Sequence, residues 1–288
     1  MSHSFLKHWL AISRTRIFVA VAIPAFIGSG VAFGQGYFAL EPFVLVLFGL
    51  VMVESANLFM ADWAAYQSST SKWKPPPAIE GSPMIPERLL PLRYSFHAAG
   101  VCLAVAALTF AYFIVRLGFL IMILGVLAVV IGVFYVLSPI KYGFFSTALL
   151  PPIIAFGSYY VLAGSISLQP ILASLPMMFM SSGVIFTYRV LYADEERKYF
   201  RMRAHVLVGI YLCAYIAIAM LVLAGVTTAT LILGFASIPI LFFIVGTMKI
   251  KGSDYLPATS LGVLLYTITG VFIALSYALI PLSIKLAL

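Results

Sequence analysis

Nine runs of mostly apolar residues constrain this chain more than any other feature. They lie at about 17–34, 42–62, 95–115, 117–137, 143–164, 169–188, 205–224, 228–247 and 260–282. A bilayer core takes about 20 helical residues to cross, and each run is near that length. Hydrocarbon offers the backbone no hydrogen-bond partners, so a spanning segment must be a helix or part of a closed barrel. Long apolar runs without period-two alternation select the helix. Only 9% of the residues are charged, against about 25% in an ordinary soluble domain. The expected fold is an all-α membrane protein, a bundle of nine transmembrane helices in a single domain over residues 1–288. Pro24 falls inside the first run, which a bundled membrane helix tolerates. Arg116 alone marks the boundary between the third and fourth runs.

The basic residues set the orientation. With the N-terminus in the cytosol, the inner segments hold Lys7, Arg14, Arg16, Lys72, Lys74, Arg88, Arg93, Lys141, Arg189, Arg197, Lys198, Arg201, Arg203, Lys249 and Lys251. Only Arg116 and Lys285 of the 17 basic residues fall outside, and the C-terminus is expected there too. An eight-helix count would break this alternation. The first 16 residues are amphipathic and basic, suited to lie along anionic headgroups. The run after them has no small-residue cleavage site, so it reads as a retained span rather than a removed signal. The net charge of +8 therefore points to the inner membrane surface and not to nucleic acid. Cys102 and Cys213 sit inside apolar runs and are expected in the core, with no disulfide or metal-ligand spacing.

Two inner segments are long and polar, those after the second and sixth spans, while the outer turns are short and nearly uncharged. The first, about 63–93, carries prolines at 75, 76, 77, 83, 86 and 91. The second, YRVLYADEERKYFRMR at 188–203, holds Arg189, Asp194, Glu195, Glu196, Arg197, Lys198, Arg201 and Arg203. Asn57 and Asp62 precede the first segment, with Glu54 deeper in the span. Glu54 and Asp62 are eight residues apart, about 12 Å along a helix. A carboxylate inside a span costs roughly 2.5–3.5 kcal/mol on insertion scales and should have a partner. Acids mixed with bases at a membrane mouth suit a phosphate held through cations. They also suit a solvated helix end with intrahelical ion pairs. His97 fits a packed or interfacial imidazole better than a base. A small-solute transporter would more often carry polar groups near the midplane, which disfavours that class.

This layout resembles the UbiA superfamily of intramembrane prenyltransferases, most of all its menaquinone-biosynthesis branch, which prenylates a dihydroxynaphthoate. RIFVAVAIPAFIGSGVA is similar to the family's opening span, and NLFMADWAAY resembles its first aspartate-rich motif. IEGSPMIPERL, YVLSPIKYGFFSTALLPP and GSYYVLAGSIS resemble later segments, and LYADEERKYFRMRAHVLVG holds the place of the second aspartate-rich motif. The motifs are eroded. Ala65 and Lys198 stand where each motif carries its second Asp, and Ala61 stands where an Asn belongs.

The resemblance implies a transferase that moves a polyprenyl group from an allylic diphosphate to an aromatic or other lipophilic acceptor, in quinone or prenyl-lipid biosynthesis. It implies Mg²⁺ held by Asn57, Asp62, Asp194, Glu195 and Glu196. Asp62, Asp194 and Lys198 take the catalytic positions, and Lys72, Lys74, Lys141, Arg197 and Arg201 the diphosphate contacts. The implied partners are a polyprenyl diphosphate, the acceptor and membrane lipids, in a prokaryotic cell membrane. The same frame also fits a non-catalytic relative that binds an isoprenoid, a quinone or a partner protein.

Overall fold

The computed structural model describes residues 15–69, 92–137, 143–192, 200–225, 234–249 and 256–279; at several helix ends, positions 62 and 201 among them, it describes the backbone alone. The described residues form nine helices and no strand. In chain order they are α1 (Thr15–Gly34), α2 (Leu40–Ser69), α3 (Leu92–Leu117), α4 (Phe119–Leu137), α5 (Gly143–Ala163), α6 (Gln169–Tyr192), α7 (Phe200–Leu223), α8 (Ile238–Lys249) and α9 (Leu256–Ala278).

Five of these contain segments long and apolar enough to cross a bilayer: Leu40–Met60, Tyr94–Leu117, Gln169–Phe186, His205–Leu223 and Leu261–Ala278. Shorter apolar helical stretches lie at Val21–Gly34, Phe119–Ile131, Thr147–Ala163 and Gly234–Ile244. This is an integral membrane protein. The break between α3 and α4 falls at Gly118, whose φ of 86° is a left-handed conformation that costs a residue with a Cβ about 1–2 kcal/mol. Arg116 thus lies in the last turn of α3 rather than at the break. Helix α1 continues through Pro24.

Successive helices from α2 to α9 pack against one another in turn, and the circuit closes through α1. Helix α1 packs against α2 and α5 and also against α6 and α9. Its sequence explains how one helix can hold so many neighbours. A Cβ added at Gly30 would sit 2.6 Å from the Ala274 carbonyl oxygen of α9, and one at Gly28 would collide with the backbone of Ala155 on α5. Small residues let membrane helices approach until their backbones touch, where lipid supplies no hydrophobic drive for association. Around α1, Ile23, Ile27 and Val31 join Tyr159, Met177, Met180, Tyr211, Leu265, Ile273 and Tyr277 in the main core. A smaller cluster of Val21 and Ala25 on α1 with Ile154 on α5 packs against Leu47 and Leu50 of α2.

The opposite surfaces are apolar and exposed, with Leu108, Val115, Leu223 and Phe242 facing outward. In water such a surface would drive association; in a bilayer it meets lipid. Cys213 belongs to this exterior and Cys102 is half-buried, which corrects the expectation that both lie in the core. Position in an apolar run does not separate lipid-facing from core-facing residues when both surroundings are hydrocarbon.

Candidate functional site

Side-chain hydrogen bonds stitch one end of the bundle together. The Tyr159 hydroxyl donates to Gln35 Oε1 at 2.6 Å, and Gln35 Nε2 donates to Gln169 Oε1 at 2.7 Å. These residues join the region just past α1, the last turns of α5 and the start of α6. The Tyr160 hydroxyl donates to the Leu117 carbonyl at 3.2 Å, capping the end of α3. The Tyr112 hydroxyl donates to Glu41 Oε1 at 3.0 Å, with the Arg116 guanidinium 4.9 Å from the Tyr112 ring centre. Short turns therefore do not mean an apolar end. Polar groups cluster here too, as amides and hydroxyls that a count of charges passes over.

With the N-terminal ends of α2 and α6 at this tied end, their C-terminal halves run to the other. There α2 carries Glu54 and Asn57. The stripe Leu47, Leu50, Glu54, Asn57 has steps of three, four and three, which keep to one helix face. Leu47 and Leu50 on that face pack toward Val21, Ala25 and Ile154 of α1 and α5. Glu54 and Asn57 extend it away from the tied end. Asn57 Nδ2 donates to Glu54 Oε2 at 3.4 Å, a long bond between half-buried groups on one helix. Among the described residues it is the hydrogen bond seen for Glu54, and no ion pair to it is seen there. Position 62 lies ~12 Å beyond Glu54 and ~80° around the axis, so it borders the stripe without continuing it.

The structure thus brings Glu54 and Asn57 together and places Asp62 on the same helix. Arg201 lies in the first turn of α7. Lys72, Lys74, Lys141, Asp194, Glu195, Glu196, Arg197 and Lys198 lie outside the described residues. Among the described residues no three of His, Cys, Asp or Glu gather as a cation site would need. Asn57 is the one expected metal ligand whose side chain is described. Its amide nitrogen is turned to Glu54, which leaves the carbonyl oxygen for a hard cation such as Mg²⁺. His97, near the start of α3, is exposed with its ring edge-on to Phe96.

A second polar group, which no sequence spacing announces, sits in the core. Ser237, in a 3₁₀ turn just before α8, donates to the Gly234 carbonyl at 2.7 Å. With its single hydroxyl hydrogen spent there, it accepts from Tyr215 of α7 at 2.9 Å and Thr269 of α9 at 2.8 Å. Every member has a partner, so this group ties helices together and offers no free valence to a ligand.

Apolar space is also present. A narrow cavity of about 70 Å³ between α2, α3, α4 and α5 is lined by Leu50, Thr109, Phe113, Gly125, Gly157 and Ser158 among others. Thr109 bonds to the Val105 carbonyl of its own helix at 3.1 Å, while the buried Ser158 hydroxyl has no partner among the described residues. A wider hollow of about 460 Å³ between α7 and α8, bordered by Leu212, Tyr215, Phe235 and Phe242, is apolar throughout its exposed surface. Both spaces suit hydrocarbon rather than water.

No protein-family model matches this sequence, and no curated protein does. A solved structure does: the apo form of a UbiA homolog from Aeropyrum pernix K1 superposes with a TM-score of 0.64 at 15% identity, over 89% of this chain and 97% of that one. At that identity the likeness speaks for the fold, and over nearly its whole length this chain has the fold of a UbiA homolog.

Proposed function

We propose that this protein is a membrane prenyltransferase that joins a polyprenyl group to an aromatic or other lipophilic acceptor, working at the end of the bundle where α2 and α6 terminate. One observation carries the reading: the fold is that of a UbiA homolog across 89% of the chain, and in the sequence residues resembling that family's acidic motifs lie in the last turns of α2 and just after α6. Nine membrane-crossing helices with that end in the cytosol complete the picture, in a prokaryotic membrane, with quinone or prenyl-lipid synthesis as the process served.

Asn57 and Asp62 from α2, with Asp194 and either Glu195 or Glu196, would hold Mg²⁺. Bound there, Mg²⁺ would supply positive charge that stabilises the diphosphate as a leaving group. Lys72, Lys74, Lys141, Arg197, Lys198 and Arg201 would add positive charge around the same group. The allylic C–O bond breaks with its electron pair leaving on diphosphate. The allylic carbon then bonds to a nucleophilic atom of the acceptor, which gives up a proton. The apolar bundle shelters the prenyl chain and excludes water from the cation.

Purified protein in detergent, given Mg²⁺ and a labelled polyprenyl diphosphate with a hydroxylated aromatic acceptor, should release pyrophosphate and form a prenylated product. Asp62→Asn and Asp194→Asn should each cut the rate at least 100-fold. Binding of the diphosphate with no turnover across acceptors, and no change in the prenyl lipids of cells lacking the gene, would sink the reading. That outcome would favour a non-catalytic isoprenoid-binding relative, for which Ala65 and Lys198 in place of acids already speak.

A further inference from the structure

The narrow cavity between α2, α3, α4 and α5 lies toward the tied end of the bundle. On α2 its lining runs from Leu50 to Leu45, one turn short of Glu41. On α3 the lining ends at Phe113, one turn short of Arg116. Glu41 and Arg116 are both exposed, and both meet Tyr112. Its hydroxyl donates to Glu41 Oε1 at 3.0 Å, and the Arg116 guanidinium carbon is 4.9 Å from its ring centre. One tyrosine thus holds a carboxylate and a guanidinium near the rim of an apolar space. Tyr37, Tyr112 and Tyr160 all lie at this end, and tyrosine gathers where hydrocarbon gives way to headgroups. Glu41 and Arg116 therefore stand at headgroup level.

Deeper in the cavity lining is a hydroxyl in want of a partner. Ser158 is 2% exposed, and its Oγ has no hydrogen-bond partner among the described residues. Buried hydroxyls are as a rule hydrogen-bonded. Ser158 lies five residues before the last residue of α5, Ala163, which is ~7.5 Å along the axis. The headgroup layer of a bilayer is about 5–8 Å deep on each side. Ser158 is thus at the depth where the ester carbonyls of a lipid meet the hydrocarbon.

We propose that this cavity and its rim bind one membrane phospholipid with a primary-ammonium headgroup, of the phosphatidylethanolamine class. The ammonium donates to Glu41, the phosphate faces Arg116, an ester carbonyl accepts from Ser158, and the upper part of one acyl chain enters the cavity. Tyr112 occupies one of the about four accepting sites of the Glu41 carboxylate, which leaves room for the ammonium. That bond is charge-assisted and so among the stronger ones. A choline headgroup has no N–H to donate, and a glycerol headgroup brings no cation to Glu41. The space of about 70 Å³ takes a short length of one chain, and the rest of the lipid stays in the bilayer. This site is separate from the prenyltransferase reading: Leu50, its deepest residue on α2, is ~18 Å along the helix from position 62.

The test gives the full-length protein in detergent equal amounts of dioleoyl phosphatidylethanolamine, phosphatidylcholine and phosphatidylglycerol. Native mass spectrometry then reads which lipid stays bound. Wild type should retain the ethanolamine lipid about threefold over either of the others, the effect expected of an exposed ion pair. Glu41→Gln should erase that preference. Arg116→Gln should lower retention of all three lipids, which share the phosphate. At Gly157, on the cavity wall, an added Cβ meets nothing closer than Leu124 Cδ1 at 4.0 Å, so Gly157→Leu can grow into the space and should abolish retention. Thermal unfolding of the same samples shows that each variant is folded. Should Gly157→Leu not fold, Ser158→Ala replaces it. The ethanolamine lipid should then raise the unfolding temperature of the variant by less than it raises that of wild type.

Equal retention of the three lipids by wild type overturns the proposal, and so does stronger retention of the choline or glycerol lipid. Glu41→Gln or Arg116→Gln that lowers stability but keeps wild-type retention also overturns it, since the two charges would then serve only to tie α2 to α3. Retention that survives a folded Gly157→Leu, or an equal lipid effect on Ser158→Ala and wild type, removes the cavity from the site and overturns the proposal as well.

Discussion

Gly30 has no room for a side chain. A Cβ there would lie 2.6 Å from a backbone oxygen of α9, and backbone cannot rotate aside as a side chain can. Gly30→Val should force α1 and α9 apart and cost about 1–3 kcal/mol or more, read as a lower unfolding temperature in detergent. Gly157→Ala is the control: the nearest atom to the added Cβ is Leu124 Cδ1 at 4.0 Å, ordinary contact, and the same measurement should scarcely move. Ser158→Ala should go the other way. Its buried hydroxyl lacks a partner among the described residues, and an unsatisfied buried polar group costs about 1–3 kcal/mol, so removing it should raise stability by up to that amount. Glu54 stood out in the sequence because any acid in an apolar run does. Its pairing with Asn57 follows helix periodicity, whereas the packing of Leu47 and Leu50 toward α1 and α5 required the tertiary structure.

Among the elements, α2 departs most from its expected length. The apolar run stops near residue 62, but the helix continues to Ser69, because Ala64, Ala65 and Gln67 are good helix formers that hydropathy does not mark. At the other extreme, α8 has 12 residues and is preceded by the turn that Ser237 anchors. Ser237→Ala would strip Tyr215 and Thr269 of a shared acceptor in the core. The expected cost is about 1–3 kcal/mol, larger than that of Tyr159→Phe at the tied end. There a membrane hydrogen bond is lost, worth about 0.6 kcal/mol on average and 1.7 at most. Comparing the two unfolding temperatures checks the order. A larger loss from Tyr159→Phe would mean that the tied end, not the core hydroxyls, holds the helices in place.

For the whole molecule, the two ends differ in kind. One is closed by side-chain hydrogen bonds between short turns. At the other, α2 and α6 end, and the long polar segments follow them in the sequence. In a variant lacking Cys102 and Cys213, cysteines introduced at Tyr37 and Ile166, both exposed near the tied end, should react with an impermeant reagent from one side of the membrane. Cysteines at Ser69 and Tyr192, the last residues of α2 and α6, should react from the other. Labelling of Ser69→Cys and Tyr192→Cys on opposite sides would end the idea that the two polar segments share one site.

By itself the sequence determined that this is a membrane helical bundle, and where most of the described helices lie to within several residues, although the helix expected from about 228 is described only from Ile238. The reason is local: a run of apolar residues long enough to cross hydrocarbon must satisfy its own backbone, and only a helix does that within one segment. The two polar segments and their acids were legible for the same reason, since charge is conspicuous where charge is rare. What the tertiary structure decided is which face of each helix looks inward. Inside and outside are both apolar, so hydropathy cannot separate Cys213 on the exterior from Tyr215 in the core. Nor could spacing foretell that Gln35 would meet a tyrosine 124 residues away and a glutamine 134 residues away. Those contacts exist because glycines on α1 let its neighbours close on it, and close approach is a property of two surfaces together.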